Sequence, residues 1–265
     1  MRKDAGVRSY EDLVDEAAAA DVSGWGWEWL HGRASEDRPP WRYARILAQE
    51  WSRAAAALDV DTGGGEVLAE ALDAVIAEGG SLPVRRAATE GWPPNTRVAR
   101  SALGRYGVGV RQVDPGEPLP FPNASFDLVT SRHPVRPDWA EIARVLQPGG
   151  WYVAQHVSHR SAYELVEWFL GPQPRGRDPR DPVREGAAAQ AAGLVVPELR
   201  LATSRMEFHD IGAVVWTLRK CVWWVPDFTV EAYDRELRAL DAKIRAEGPF
   251  VAYSTRHFLR CRRQG

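Results

Sequence analysis

The stretch Leu58-Asp59-Val60-Asp61-Thr62-Gly63-Gly64-Gly65-Glu66-Val67-Leu68 limits what this chain can fold into more than any other. It opens after the alanine run Ala54 to Ala57 and reads as a short buried strand. A glycine turn follows. A helix then begins, with Val67, Leu68, Leu72, Val75 and Ile76 on one face at a period of about 3.6 residues, ending at Gly79-Gly80. Glycines placed between a strand and a helix N-terminus let the backbone turn sharply and come close to a ligand. The unpaired N–H groups of the first helical turn then face that ligand.

The rest of the composition narrows the class. A chain of 265 residues with 45% hydrophobic content can bury one sizeable core. One domain spanning 1–265 is expected: an aromatic-rich helical cap over 1–56, a ligand-binding core over 57–160, and a part completing the sheet over 161–265, with a mobile loop near 171–182. Net charge is −2, which gives no basic field for nucleic acid. Cys221 and Cys261 are too few for a zinc site or a disulfide scaffold and are expected as buried thiols. The chain shows no signal peptide and no apolar run of about 18 residues, so a soluble cytoplasmic protein, monomer or homodimer, is expected. The chain has twelve tryptophans, with clusters near the N-terminus and at Trp223-Trp224. They suit an aromatic or cationic ligand, and equally the packing of a cap.

The dinucleotide fingerprint G-x-G-x-x-G is met by Gly63 and Gly65 but fails at Leu68. The spacing instead resembles motif I of the class I S-adenosylmethionine-dependent methyltransferases, type 11-like: an apolar strand, an acid, then G-x-G. Later motifs follow in that superfamily's order. Leu82 to Glu90 reads as a second strand ending in an acid, at the distance expected of a ribose-binding carboxylate. Asn95 is placed to cap a helix over 96–105, and Gly107 to Val113 is a third strand ahead of Asp114. Leu119-Pro120-Phe121-Pro122-Asn123-Ala124-Ser125-Phe126-Asp127-Leu128-Val129 is similar to the superfamily's lead into strand four, where the acid is structural. Glu141 to Gly150 resembles the helix and L-x-P-G-G turn before strand five, Trp151 to Val157. Helices are expected over 9–20, from Pro39-Pro40 to about Ala56, and over 161–170, 183–192, 211–222 and 230–246. A broken strand is expected over 195–208 and a last strand over 250–261.

The resemblance implies an α/β fold: a doubly wound, mostly parallel seven-stranded sheet with helices on both faces and the aromatic N-terminal cap. It implies S-adenosyl-L-methionine as cofactor, held by Asp59, Asp61, Gly63, Gly64, Gly65, Glu90, Gly91, Trp92, Asp114, Ser131 and Arg132. It places Trp29, Arg33, Trp41 and Tyr43 toward a small-molecule substrate and His133 at the transferred methyl, with no metal. Pro134 biases His133 toward an extended backbone. One departure stands out: Asp61 occupies a position where the superfamily usually has glycine. His156 and His159 have the spacing of a metal pair without an acidic third ligand nearby, and read as ordinary surface or core histidines. The expected activity is methyl transfer to a small molecule, with no nucleic-acid or membrane partner. A catalytically silent ligand-binding protein and a nicotinamide-dependent oxidoreductase are the alternatives. The acceptor atom is not legible in the chain.

Overall fold

Parallel pairing around one buried strand organises the chain. In this computed structural model, which describes residues 8–23, 26–174 and 180–265, the elements follow as α1 (Tyr10–Ala19), β1 (Ala34–Glu36), α2 (Tyr43–Trp51), β2 (Ala56–Val60), α3 (Glu66–Ala77), β3 (Arg85–Glu90), α4 (Pro93–Gly104), β4 (Gly109–Gln112), β5 (Phe126–Arg132), α5 (Trp139–Val145), β6 (Leu146–Val157), α6 (Tyr163–Leu170), α7 (Pro182–Ala191), β7 (Leu194–Phe208), α8 (Ile211–Lys220), α9 (Asp234–Glu247) and β8 (Phe250–Arg263). The strands form one sheet in the order β1-β7-β8-β6-β5-β2-β3-β4. β2 pairs in parallel with β3 and β5, β3 with β4, and β5 with β6. β8 runs antiparallel to β6, and β1 antiparallel to β7. The chain therefore winds outward through β2, β3 and β4, then returns to lay β5 and β6 on the other side of β2. That reversal creates a crevice at the carboxyl ends of β2 and β5, where open α/β sheets bind their ligands.

The chain divides into two compact units. The first comprises, among the described residues, 38–159, 180–203 and 255–265 and holds the parallel strands. β2 and β5 are buried on both faces, which is why their sequences are apolar runs and not alternating ones. On one face Ala57, Leu128 and Val153 pack with Trp51 of α2, Leu68 and Leu72 of α3 and Leu103 of α4. On the other, Leu58, Val129 and Ala154 pack with Ile142 and Val145 of α5 and Ala189 of α7. Helices thus cover both sheet faces, as expected. The second unit comprises, among the described residues, 8–23, 26–37, 160–174 and 204–254. Its core is α8, buried from Ile211 to Leu218, packed with Leu13, Val14 and Ala17 of α1. A Cβ on Gly212 would lie 2.9 Å from the Leu13 carbonyl oxygen, so glycine permits the close α1–α8 approach.

The sheet corrects the expectation of seven strands: it has eight and is mixed. The additional strand is β1, three residues pairing Ala34–Glu36 with Phe208–Met206 inside a polar segment. Other boundaries move for local reasons. α2 ends at Trp51, before the alanine run, because Ala56 and Ala57 already belong to β2. α4 starts at Pro93 behind an extended Trp92, and Asn95 is buried inside its first turn instead of capping it. β4 is shorter than expected and β7 is one continuous strand. The Pro148-Gly149-Gly150 segment falls within β6 as an irregularity, with pairing to β5 resumed at Trp151. On α3 the buried stripe is Leu68, Ala71, Leu72 and Val75, while Ile76 is exposed. Trp25 and most of the loop expected near 171–182 lie outside the described residues. No helix among the described residues is long and apolar enough to cross a membrane.

Candidate functional site

The crevice is built from the ends of β2, β3 and β5. β2 runs out at Val60, and the turn that follows holds three positive φ angles, at Asp61 (55°), Gly63 (64°) and Gly65 (82°). The positive φ at Asp61 accounts for the glycine usual at this position: left-handed backbone is free for glycine and strained for an L side chain, with aspartate among the more tolerant. A Cβ on Gly65 would meet Leu103 at 2.8 Å, so that glycine lets α4 pack against the start of α3. Nothing lies within 4 Å of where a Gly63 Cβ would stand, so this backbone borders open space.

Glu90 closes β3 beside that turn and is buried. Its Oε2 accepts the Gly63 N–H at 2.8 Å and its Oε1 accepts the Trp92 N–H at 3.0 Å. One carboxylate thereby holds the glycine turn and the entry to α4 in register, and each oxygen keeps a lone pair for a further donor. Glycine at 91 eases a tight approach, since a Cβ would lie 3.0 Å from the Val113 carbonyl oxygen. The Trp92 ring is substantially exposed at 45%. Asp114, past the end of β4, is exposed and borders a shallow groove with Gln112, Val113 and Glu117.

Asp59 is buried within β2, and its Oδ1 accepts the Thr130 hydroxyl from β5 at 2.6 Å. Trp51 Nε1–H donates to the same Thr130 oxygen at 3.2 Å. Burial pushes the Asp59 carboxyl up to about 6, against the Thr130 hydrogen bond, with the Asp61 and Glu90 charges adding to the rise. Asp61, partly open to solvent, is likewise raised to about 6 by burial and then by the Glu90 charge. Three carboxylates therefore converge on one strand end, and no lysine or arginine among the described residues forms an ion pair with any of them. The crevice is electronegative and suited to a cation.

Across the switch point, β5 ends at Ser131 and Arg132 with His133 next. Ser131 is buried, its carbonyl accepts the Tyr43 hydroxyl at 2.8 Å, and Arg132 is exposed. The same Tyr43 hydroxyl lies 3.2 Å from the Val153 carbonyl. His133 does not take the extended backbone that Pro134 favours. Its φ is 57°, held by its N–H donating to the Gln155 carbonyl at 2.7 Å. Its ring Nε2 lies 2.8 Å from Gln155 Nε2, and Gln155 Oε1 accepts the Trp41 indole N–H at 2.7 Å. Trp41 can only donate, so Gln155 must present its NH2 to His133, whose Nε2 is then the acceptor and Nδ1 the protonated nitrogen. Burial, followed by the Arg132 and Arg256 charges, holds His133 well below the usual histidine range. The ring is neutral and its basic lone pair is engaged.

Trp41 and Tyr43 are thus buried supports beneath the strand ends, tied to Gln155 and Ser131. Trp29 and Arg33 belong to the second unit and are engaged within it: Trp29 stacks on Trp216 at 5.7 Å, and Arg33 lies 4.1 Å over the Trp29 ring and 2.7 Å from Glu16. Gln155 was not anticipated from sequence. Its only signal is its place at the end of β6, opposite Arg132 in the β5–β6 register. Asp127 takes the structural place expected of it: its two oxygens accept the N–H groups of Ala55 and Ala56 at 2.9 and 2.8 Å, fixing the start of β2.

Residues 58–154 match the sequence profile of the family described as methyltransferase domain. No curated protein matches the chain. Three solved structures share its fold: a proposed methyltransferase from Bacillus halodurans C-125 (18% identity, 84% of this chain and 99% of that one, TM-score 0.57), the YcgJ protein of Bacillus subtilis (16%, 84% and 98%, 0.53), and a protein of unknown function from Deinococcus radiodurans R1 (15%, 88% and 91%, 0.53). The segment with the glycine turn, Glu90 and the end of β5 therefore matches the methyltransferase domain profile, and the chain shares its fold with these three structures.

Proposed function

We propose that the protein is an S-adenosylmethionine-dependent methyltransferase acting on a small molecule. The observation that carries this reading is Glu90, a buried acid one strand from the glycine turn, with both oxygens oriented by backbone N–H groups and both still able to accept. Ribose hydroxyls are its natural donors. The open space beside Gly63 fits a bound cofactor, and Asp61 offers the charge that would attract its cationic end. Trp92 and Asp114 flank the outer side, where a base could stack and donate. When bound, the cofactor supplies an already activated methyl group. This chain's residues would then orient the acceptor and exclude water.

His133 is the side chain we assign to the acceptor, with Gln155 and Trp41 as positioning residues behind it. With its Nε2 lone pair engaged and the ring neutral, it presents Nδ1–H, a donor that can orient an acceptor without removing a proton. That favours acceptors that need no general base. The same feature keeps a silent binding protein as a second reading. A nicotinamide cofactor is disfavoured because Leu68, at the third fingerprint position, is buried in the core. The test is calorimetric titration with S-adenosylmethionine and with NAD, followed by isotope-labelled methyl transfer to a panel of small amines, thiols and phenols. Binding of the former with transfer supports the enzyme, binding without transfer supports the silent protein, and preference for NAD overturns both.

A further inference from the structure

A second cluster of titratable side chains lies on the opposite face of β6 from Gln155. β6 and β8 pair with Tyr152 opposite Cys261 and His156 opposite His257. Strand alternation puts all four on one sheet face, the face that contacts Ala189 of α7. From that helix Glu185 reaches in. Its Oε2 lies 2.5 Å from His156 Nδ1 and 3.0 Å from His257 Nε2. The three residues are 2%, 6% and 0% exposed for His156, Glu185 and His257. Their ligating atoms all lie within 4.8 Å of one another. The Tyr152 hydroxyl sits 3.0 Å from the other nitrogen of His156.

Each of the two imidazoles turns one ring nitrogen toward the same carboxylate oxygen of Glu185. Around it are Leu194, Ala154 and Leu259, all buried. No guanidinium or ammonium pairs with Glu185 among the described residues; its side-chain partners are the two rings. A buried carboxylate in such a place calls for a positive partner. Sequence spacing pointed to His159 as the companion of His156, but that ring lies beside Ser158. The partners of His156 come instead from 29 residues onward and from the last strand.

We propose that His156, Glu185 and His257 form a site for a divalent transition-metal ion, with zinc the expected occupant, that fastens α7 to the β6–β8 pair. Two imidazoles and one carboxylate are an established zinc donor set and leave a fourth position for water. Bonds of about 2.0–2.1 Å in a tetrahedron hold ligand atoms about 3.3 Å apart. The 3.0 Å pair lies near that spacing, the 2.5 Å pair opens by less than about 1 Å, and the two ring nitrogens, within 4.8 Å of each other, close by at most about 1.5 Å. His156 shifts its proton to Nε2 and donates it to the Tyr152 oxygen, which supplies the outer hydrogen bond that metal-bound histidines require. Metal on His257 Nε2 would place that ring's proton on Nδ1, which has no hydrogen-bond partner among the described residues.

The test uses the full chain without a histidine tag, stripped with a chelator and titrated with Co2+, then Zn2+. One Co2+ per chain is expected, with the visible absorption of a four- or five-coordinate ion, displaced by one equivalent of Zn2+. Glu185→Gln should weaken Co2+ binding at least tenfold. The double substitution His31→Ala/His209→Ala, which removes two exposed histidines, should leave affinity and spectrum unchanged. Should Glu185→Gln fail to fold, melting decides: one equivalent of Zn2+ should raise the melting temperature of the wild type and of the double variant equally. No stoichiometric binding, equal affinity in a folded Glu185→Gln variant, loss of binding in the double variant, or an unmoved melting temperature would each overturn the site.

Discussion

Replacing Asp61 with asparagine should make the protein more stable at neutral pH and less able to bind a cationic ligand. The side chain keeps its shape and its tolerance of the left-handed φ of 55°, so backbone strain is nearly constant and charge is what changes. The carboxyl is raised from 3.8 to about 6. At about 1.4 kcal/mol per unit, that rise corresponds to at most about 3 kcal/mol, and partial exposure brings the expected effect to about 1–2 kcal/mol. The sign follows from proton counting. A carboxyl with a raised folded-state pKa binds more protons folded than unfolded between pH 4 and 6, so stability falls as pH rises through that window and is level above it. Asp59, also raised to about 6, contributes a second fall over the same window and remains in the variant. Urea denaturation at pH 4 and pH 7 reads the effect. The variant should gain about 0.3–1 M in midpoint at pH 7, for a slope of about 2–3 kcal/mol/M, and much less at pH 4. A wild type and variant with parallel pH profiles would refute the argument. Asp61→Gly serves as a companion: it relieves the strained φ but loosens the unfolded chain by a comparable amount, so its gain at pH 7 should match that of asparagine.

The other predictions follow from single contacts. Glu90→Ala should weaken S-adenosylmethionine binding by about 1.5–3 kcal/mol, the range for a hydrogen bond to a charged group; unchanged affinity in a folded variant would remove Glu90 from the site. Trp41→Phe should lower turnover about three- to tenfold, the weight of one hydrogen bond, with cofactor affinity unchanged, since the indole N–H orients Gln155 and through it His133; equal loss of affinity would argue for general misfolding. Turnover should be level from pH 6.5 to 8, because His133 titrates well below that window; a rate limb near pH 6.5 that vanishes in His133→Ala would show the ring acting as an ordinary base. Asp127→Ala leaves two backbone N–H groups unpaired at the start of β2 and should cost about 2–3 kcal/mol of stability, without changing cofactor affinity.

What could be read from sequence was set by local rules. The glycine turn, the acid ending β3 and the Phe126-Asp127 entry to β5 all depend on neighbours in the chain or on parallel-strand spacing, and these fell where expected. The positive φ at Asp61 was foreshadowed by the missing glycine, though its geometric reason was not. β1 was hidden because three polar residues have no period to detect. The His133 conformation was misjudged because Pro134 speaks for the extended form, while the Gln155 carbonyl, reached only through sheet pairing, holds the other. Glu185 was invisible for the same reason: its partners lie 29 and 72 residues away and meet only when β8 closes against β6. Trp29 and Arg33 drew attention by residue type, and their contacts with Trp216 and Glu16 could be seen only once the second unit was folded.

The most direct measurement of the central claim is a crystal structure of the protein grown with S-adenosylhomocysteine, the product of methyl transfer. The ribose hydroxyls should lie within hydrogen-bond distance of both Glu90 oxygens, the backbone beside Gly63 should face the amino-acid portion, and the sulfur should point toward His133. Ligand bound elsewhere, or a crevice that stays open at saturating concentration with Glu90 still holding only Gly63 and Trp92, would contradict it.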